Sequence, residues 1–186
     1  MKSHARPSLF ETTVGFDDPL EMLLACHRRI EKQLETLKRL RAHVDSRTVD
    51  AEASSAAQSV LRYFLKSATQ HHEDEEKDLF PLLEQRITDS AERARFDALR
   101  AALEQDHREI EAHWARLKKP LEAIAEGLTR SLPAGDVHAF IAAYARHILV
   151  EEAAIQEFFE RWLDAGDRES LGRSMSARRT EPPPGA

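Results

Sequence analysis

Histidine and glutamate stand four residues apart at five places in this chain, in pairs that begin at His27, His71, His72, His107 and His147. Side chains four residues apart lie on one face of an α-helix, so each pair presents an imidazole and a carboxylate in the same direction. With 9 histidines in 186 residues, chance gives about one such pair if all positions are occupied equally. Imidazole nitrogens and carboxylate oxygens are ligands of transition metals, so the spacing predicts a metal site.

The alternative for any single pair is a solvated contact, which on a helix contributes only a few tenths of a kcal/mol. A lone core histidine is also more often a packed, hydrogen-bonded residue than a ligand. Here, however, four of the histidines lie on the apolar stripes of four different predicted helices: His27, His71, His107 and His147. Burying them with two carboxylates and no counter-ion costs several kcal/mol for each unpaired charge, and a divalent cation removes that cost. The pattern therefore favours metal binding over a metal-free helical interaction module.

The segments that must position these pairs are predicted to be helices. The chain is 41% hydrophobic and 32% charged, has only 6 glycines, and lacks the alternation of strands, so we predict an all-α fold. Helix-start signals and apolar stripes at helical spacing give four long helices, the first starting at Asp18 and Pro19 and running to Val44. The others end near Gln85, Ile124 and Trp162, and Pro81 is expected to kink or restart the second.

These helices predict an up-down-up-down four-helix bundle over residues 17–165. Residues 1–16 have no helical period and contain Pro7 and Gly15, so we expect an extended N-terminal arm. Residues 166–186 are expected to form a short, partly disordered C-terminal tail with one short surface helix over 167–179.

The chain contains an internal repeat. A shift of 80 residues lays HRRIEKQLETL, which starts at His27, over HREIEAHWARL, which starts at His107. A shift of 76 residues lays His71 and Glu75 over His147 and Glu151. We therefore predict two helical hairpins related by a pseudo-twofold axis, each giving half of one central site.

The repeat also chooses between two overlapping stripes in the second helix, one through His71 and the other through His72. Since His72 falls opposite the apolar Ile148, His71 is predicted to face the site and His72 to be an additional histidine. His43, His113 and His138 lack the pairing and are predicted to lie at the surface.

Several classes of function are disfavoured by composition. A formal net charge of -6 without a basic stripe argues against a nucleic-acid partner. No apolar leader and no run of about 18 apolar residues are present, so we expect a cytoplasmic protein without a membrane partner. The single cysteine, Cys26, forms no internal disulfide and is expected to be a small core residue in a reducing compartment.

The types of ligand narrow the choice of metal ion. Nitrogen and oxygen donors that project inward from four helices suit iron or manganese, and two carboxylates able to bridge favour a two-metal centre. Zinc more often takes four ligands that include sulfur. Six protein ligands shared by two metals leave positions open for a small diatomic molecule, oxide or water.

Four segments, HHEDEEKDLFP, CHRRI, DHREI and HILVEE, resemble the hemerythrin family, specifically its bacterial branch with the HHE cation-binding domain, over residues 17 to about 165. The resemblance implies a four-helix bundle with two non-haem iron ions (Fe2+/Fe3+, oxo- or hydroxo-bridged), which manganese or zinc could replace. Glu75 and Glu151 would bridge the ions. The full set of ligands that it implies is His27, His71, Glu75, His107, His147 and Glu151.

One position departs from the oxygen carriers of that family, which have a second histidine where this chain has Glu111. The resemblance therefore implies a monomer or homodimer that binds or senses O2, NO or peroxide, or handles iron, rather than a reversible oxygen carrier. The alternative is a di-iron enzyme of iron delivery or repair, or of peroxide reduction, with Tyr63 or Tyr144 as a redox partner; both are more simply core or boundary residues. Glu31 and Glu111 are open as ligands, as acceptors for a ligand imidazole or as solvated residues, and we favour the last two.

Overall fold

The computed structural model describes residues 18–46, 49–129 and 131–180. These residues form five helices and no strand, so the predicted all-α fold is confirmed. The predicted N-terminal arm lies outside the described residues, as do residues 181–186 of the tail. The helices are α1 (Pro19–Ser46), α2 (residues 51–86), α3 (Ser90–Ala125), α4 (Ala134–Trp162) and α5 (Ala165–Thr180).

Aspartates cap the first three helices, and the sequence predicts the first of these caps, at Asp18. The Asp18 carboxylate accepts a hydrogen bond from the Glu21 amide at 3.0 Å, and that of Asp50 accepts one from the Ala53 amide at 2.9 Å. Asp89 does the same at the start of α3. Each carboxylate satisfies an amide that has no partner within its helix, which fixes where the helix begins.

The α3 helix ends at a glycine. Gly127 has a φ of +74°, a conformation that a side chain disfavours. The turn lets the Leu128 amide donate back to the Ala123 carbonyl at 2.8 Å. This closure ends the helix and redirects the chain toward α4.

The first four helices close a ring. The contacts run from α1 to α2, from α2 to α3, from α3 to α4, and from α4 back to α1. Short connections between successive helices make neighbours antiparallel, which gives the predicted up-down-up-down bundle. Within the described parts of the chain, none of the helices has both the length and the apolarity needed to cross a membrane.

The α2 helix contains two wide turns. Its α-helical parts, Ala51–Arg62, Ala68–Asp74 and Phe80–Arg86, are separated by π-helical turns at Tyr63–Ser67 and Glu75–Leu79. In the second turn the Phe80 amide donates to the Glu75 carbonyl, five residues back. Pro81 follows at once and has no amide to donate, so the predicted interruption takes the form of a wide turn rather than a break. The turn begins at Glu75, one of the predicted ligands.

The core of the bundle consists of two apolar clusters with a polar layer between them. One cluster contains Ile30, Ala68, Ile110 and Tyr144, and the other contains Leu23, Leu79, Leu103 and Ile155. Each of the helices α1, α2, α3 and α4 runs from one cluster to the other, and each carries a predicted ligand histidine where it passes through the polar layer. The two clusters hold these polar side chains in the middle of the bundle, away from water.

The fifth helix is more than the short surface helix that the sequence predicts. Leu171 and Met175 are 2% and 0% exposed, because α5 packs against α1 and α2. Arg178 and Arg179 donate to the fully buried carboxylate of Asp74 on α2, at 2.8 and 2.7 Å. Two apolar residues at helical spacing are too weak a stripe to predict this packing from sequence.

Candidate metal centre

The six predicted site residues come together in the polar layer. Each lies on a different turn of α1, α2, α3 or α4, and none is more than 4% exposed. Four of them, His27, His71, Glu75 and Glu151, offer donor atoms that all lie within 4.8 Å of one another. A second group of the same tightness contains His107 and His147 together with His72.

The carboxylate of Glu75 lies between two imidazoles. Its Oε1 is 3.1 Å from His71 Nε2 on the same helix, and its Oε2 is 3.2 Å from His107 Nε2 on α3. The two oxygens of one carboxylate therefore point at histidines from opposite hairpins.

The carboxylate of Glu151, on α4, contacts the two histidines that correspond to those of Glu75 in the repeat. It does so through one oxygen: its Oε2 lies 3.2 Å from His147 Nε2 on the same helix and 3.1 Å from His27 Nε2 on α1. The repeat therefore brings corresponding residues together, but the two glutamates differ in how their oxygens are used.

Most of these atoms approach one another without forming hydrogen bonds. Within the described chain, both oxygens of Glu75 and the Nε2 atoms of His71, His107 and His147 are buried and have no hydrogen-bond partner. Leaving such groups unsatisfied costs about 1–3 kcal/mol each. Donors that bind one ion at about 2.0–2.2 Å and at right angles lie about 3 Å apart, which is the separation seen at both glutamates. The residues therefore fit a shared metal.

Burial and mutual charge strongly perturb the titration of the cluster. Burial and the neighbouring Glu151 raise the pKa of Glu75 well above its ordinary value, whereas burial and the charge of His27 lower the pKa of His71. Burial also opposes ionisation of Glu151, but the close contacts of its carboxylate with His147 and His27 outweigh burial and lower the pKa of Glu151. The pKa values of the two carboxylates are therefore shifted in opposite directions. Such perturbation is typical of functional sites.

The second nitrogens of two histidines are held by glutamates that the sequence analysis did not select. His27 Nδ1 is hydrogen-bonded to the Glu152 carboxylate at 2.9 Å, and His107 Nδ1 to that of Glu76 at 2.6 Å. Carboxylates in this role commonly orient a metal-bound imidazole and fix its tautomer. The signal in the sequence was the pair of adjacent glutamates, Glu75–Glu76 and Glu151–Glu152. In each pair the first carboxylate lies in the polar layer, and the second, which we call the outer carboxylate, accepts a hydrogen bond from a histidine Nδ1.

Glu31 and Glu111, which the sequence left open, are both exposed. Each lies at the edge of the apolar stripe of its helix, whereas Glu75 and Glu151, which also follow a histidine by one turn, are buried. Glu76 and Glu152 instead reach across from the adjacent helix.

The additional histidine of α2 is closer to the centre than the sequence predicts. The ring of His72 stacks on that of His107, with centroids 4.0 Å apart and an interplanar angle of 12°. Its Nε2 is buried without a hydrogen-bond partner among the described residues. His72 thus lies beside the site, although the repeat pairs it with Ile148.

The remaining predictions concern isolated residues. His138 is exposed, and the half-buried His43 and His113 contact Asp50 and Glu109 at the bundle surface. Cys26 is buried, as predicted, and burial raises the pKa of its thiol. None of the four contributes a donor to the centre.

A helical bundle whose middle holds four imidazoles and two carboxylates defines a class of metal-binding proteins. The chain belongs to the hemerythrin family: residues 18–159 match the model of the hemerythrin HHE cation-binding domain. It is also similar to an uncharacterised protein of Haemophilus influenzae, with 29% identity over 173 residues, which cover 93% of this chain and 95% of that protein. The family binds metal cations, typically iron, and the His/Glu cluster of this chain is able to hold a metal.

Proposed function

We propose that the chain holds two iron ions in its polar layer and uses them to bind or sense a small molecule, O2, NO or peroxide, or to handle iron. Glu75 and Glu151 bridge the ions in this proposal. The terminal ligands are His27, His71, His107 and His147.

The observation that carries the proposal is the position of Glu75. Its two oxygens lie 3.1 and 3.2 Å from the Nε2 atoms of His71 and His107, and none of these atoms has a hydrogen-bond partner in the described chain. A carboxylate with two such neighbours has the geometry of a bridge between two ions. Bound iron would supply redox chemistry and open coordination positions.

The chain's own residues would hold and tune the ions. Glu76 and Glu152 each accept a hydrogen bond from a ligand imidazole, which keeps the Nε2 atom directed inward. The two apolar clusters exclude water from both ends of the layer. The exposed Glu111, in place of a second inward histidine, leaves the α3 side with fewer nitrogen ligands than an oxygen carrier, which supports sensing or iron handling over oxygen transport.

Metal analysis and absorption spectroscopy of the purified protein test the proposal. We expect about two iron ions per chain and near-ultraviolet charge-transfer bands that bleach on reduction. Return of the bands in air, or a new spectrum with NO, would identify the ligand. Less than about one metal ion per chain after reconstitution with ferrous iron under anaerobic conditions would contradict it.

A second candidate function is that of a di-iron enzyme of peroxide reduction or of iron delivery or repair. The observation that favours it is a cavity of about 290 Å³ beside His72 and His107, which is far larger than a diatomic molecule needs. Tyr144 lines this cavity and is a possible redox partner for the centre. Catalytic turnover of peroxide by the iron-loaded protein, absent from the Glu151→Ala variant, would favour the enzyme.

A further inference from the structure

The centre can be approached through two crevices that the internal repeat relates to each other. One lies between α2 and α3 and is bounded by the Glu76–His107 hydrogen bond; the other lies between α1 and α4 and is bounded by the Glu152–His27 hydrogen bond. We call them the α2–α3 crevice and the α1–α4 crevice. In volume they are not equivalent.

The α2–α3 crevice contains the cavity of about 290 Å³, whereas the space beside His27 in the α1–α4 crevice is about 10 Å³. A single water needs at least about 10–15 Å³, so the second crevice is effectively filled. Ala68 and His72 line the open crevice. The 76-residue shift lays them over Tyr144 and Ile148, neither of which lines the space beside His27.

The wall of the cavity is aromatic. It is lined by Phe64, Trp114, Phe140 and Tyr144. The ring centroid of Phe64 lies 5.0–5.6 Å from the ring centroids of the other three residues. Aromatic rings at such distances favour another ring placed against their faces or edges. A cavity of about 150 Å³ already admits benzene, so this one has room for a single substituted ring.

The inner end of the cavity is polar and the outer end is acidic. His72 and His107, which are more buried than the carboxylates, form the inner end. Three carboxylates, those of Glu73, Glu76 and Glu111, surround the outer end with one guanidinium. An anion would be repelled on entry, whereas a neutral molecule with a hydroxyl group could meet His72.

From this arrangement we propose that the α2–α3 crevice binds a small neutral phenol, with its ring among the aromatic side chains and its hydroxyl group at His72. The proposal extends the proposed function, because the cavity ends at the same histidines, but binding of the phenol requires no metal. A ring nitrogen of His72 also lies within 4.8 Å of nitrogens of His107 and His147, so the iron content of a His72 variant decides between the two roles.

Fluorescence of Trp114 measures binding directly. The chain has two tryptophans, and Trp162 does not line the cavity, so the Trp162→Phe variant leaves Trp114 as the reporter. Phenol is titrated into the iron-loaded variant and into the same protein after chelation. We expect saturable quenching with a Kd of about 1 mM or tighter in both, and at least tenfold weaker binding of benzoate. Binding in the chelated protein separates this proposal from that of the metal centre.

Two variants locate the ligand. Ala68→Phe should fill the cavity and weaken phenol binding by tenfold or more. His72→Ala should weaken phenol at least threefold relative to toluene and leave the iron content unchanged. Absence of saturable quenching in the unmodified cavity, or equal binding of phenol and benzoate, would overturn the proposal; so would loss of iron from His72→Ala to the extent seen in His71→Ala.

A matched pair of surface variants tests the role of charge without touching the core. Glu111→Gln removes a carboxylate at the mouth of the cavity, and Glu31→Gln removes its counterpart in the repeat, which does not line the cavity. Benzoate should bind at least twofold more tightly to the first variant and unchanged to the second. Equal changes in both would mean that benzoate does not enter by the α2–α3 crevice.

Discussion

The two crevices that lead to the centre share their donors and differ in their packing. In each, a buried glutamate contacts a histidine of the adjacent helix at 3.1–3.2 Å, and the following glutamate holds that histidine's Nδ1. One crevice nevertheless holds a cavity of about 290 Å³ and the other only about 10 Å³. A repeat can therefore preserve the ligands, which must meet one ion geometry, while the surrounding side chains diverge.

A second asymmetry lies on the face formed by α1 and α2. The α5 helix covers that face, and no described helix covers the corresponding face of α3 and α4. Asp74, which α5 contacts, directly precedes the bridging Glu75. The extra helix thus stabilises one hairpin next to the centre and leaves the cavity side free.

Replacing one of the two glutamates that we propose as bridges should have the largest effect on metal content and stability, because both crevices lead to the same centre. In Glu151→Ala we expect most of the metal to be lost and Tm to fall by about 5–10 °C, as the stabilisation by bound metal disappears. Metal analysis and thermal unfolding with and without chelator provide the measurement. Glu111→Ala, an exposed carboxylate one turn from His107, is the control and should change neither. Retention of both ions in Glu151→Ala would mean that the glutamate is not a ligand.

Releasing α5 should have the next largest effect. The double variant Arg178→Ala/Arg179→Ala leaves the buried carboxylate of Asp74 without these two donors. Since both arginines are partly exposed, we expect a loss of about 2–3 kcal/mol and a fall in Tm of about 4–9 °C.

Arg173→Ala is the matched control for this experiment, because Arg173 is an exposed residue that pairs only within α5, with Glu169. Its Tm should stay within about 2 °C of the unmodified chain. Equal Tm values for the control and the double variant would show that α5 does not stabilise the bundle through Asp74.

The outer carboxylates test whether the two crevices are equivalent at the ions. Glu76→Gln and Glu152→Gln should each weaken metal binding by about 10–100-fold, because a neutral amide holds the imidazole less strongly. Competition with a chromogenic chelator measures the affinity, and Glu31→Gln should leave it unchanged. If only one of the two variants bound metal more weakly, Glu76 and Glu152 would not be equivalent, and the correspondence between the two crevices would hold only for Glu75 and Glu151.

The smallest expected effect concerns the start of α5. A hydrogen bond from Arg86 lowers the pKa of Asp167 below its ordinary 3.8, so the folded chain keeps this carboxylate ionised at lower pH than the unfolded chain does. The resulting stability is present above the unfolded pKa and is lost as the pH falls through the folded pKa. Asp167→Asn should therefore lower Tm slightly at neutral pH, and the difference should begin to shrink below about pH 4 and vanish only below the pKa of the folded chain. A constant difference across this range would exclude ionisation as its cause.

Much of the fold was predictable because strong local signals agree. The start signal at Asp18 and Pro19 and the long apolar stripes predicted four helices in advance. The fifth helix was underestimated, since its packing depends on Leu171, Met175 and two arginines that contact Asp74. The contact between Arg178 and Asp74 spans 104 residues, and no local pattern predicts a partner at that distance.

The sequence by itself determined which donors exist and that pairs of them share a helix face, because the helical period brings His71 next to Glu75 and His147 next to Glu151. It could not decide which side chains meet across helices. The position of His72 against His107, the use of Glu76 and Glu152, and the single open crevice depend on how far each helix is rotated and shifted against its neighbours. Those quantities are set by packing of the two apolar clusters as a whole, so only the tertiary structure decides them.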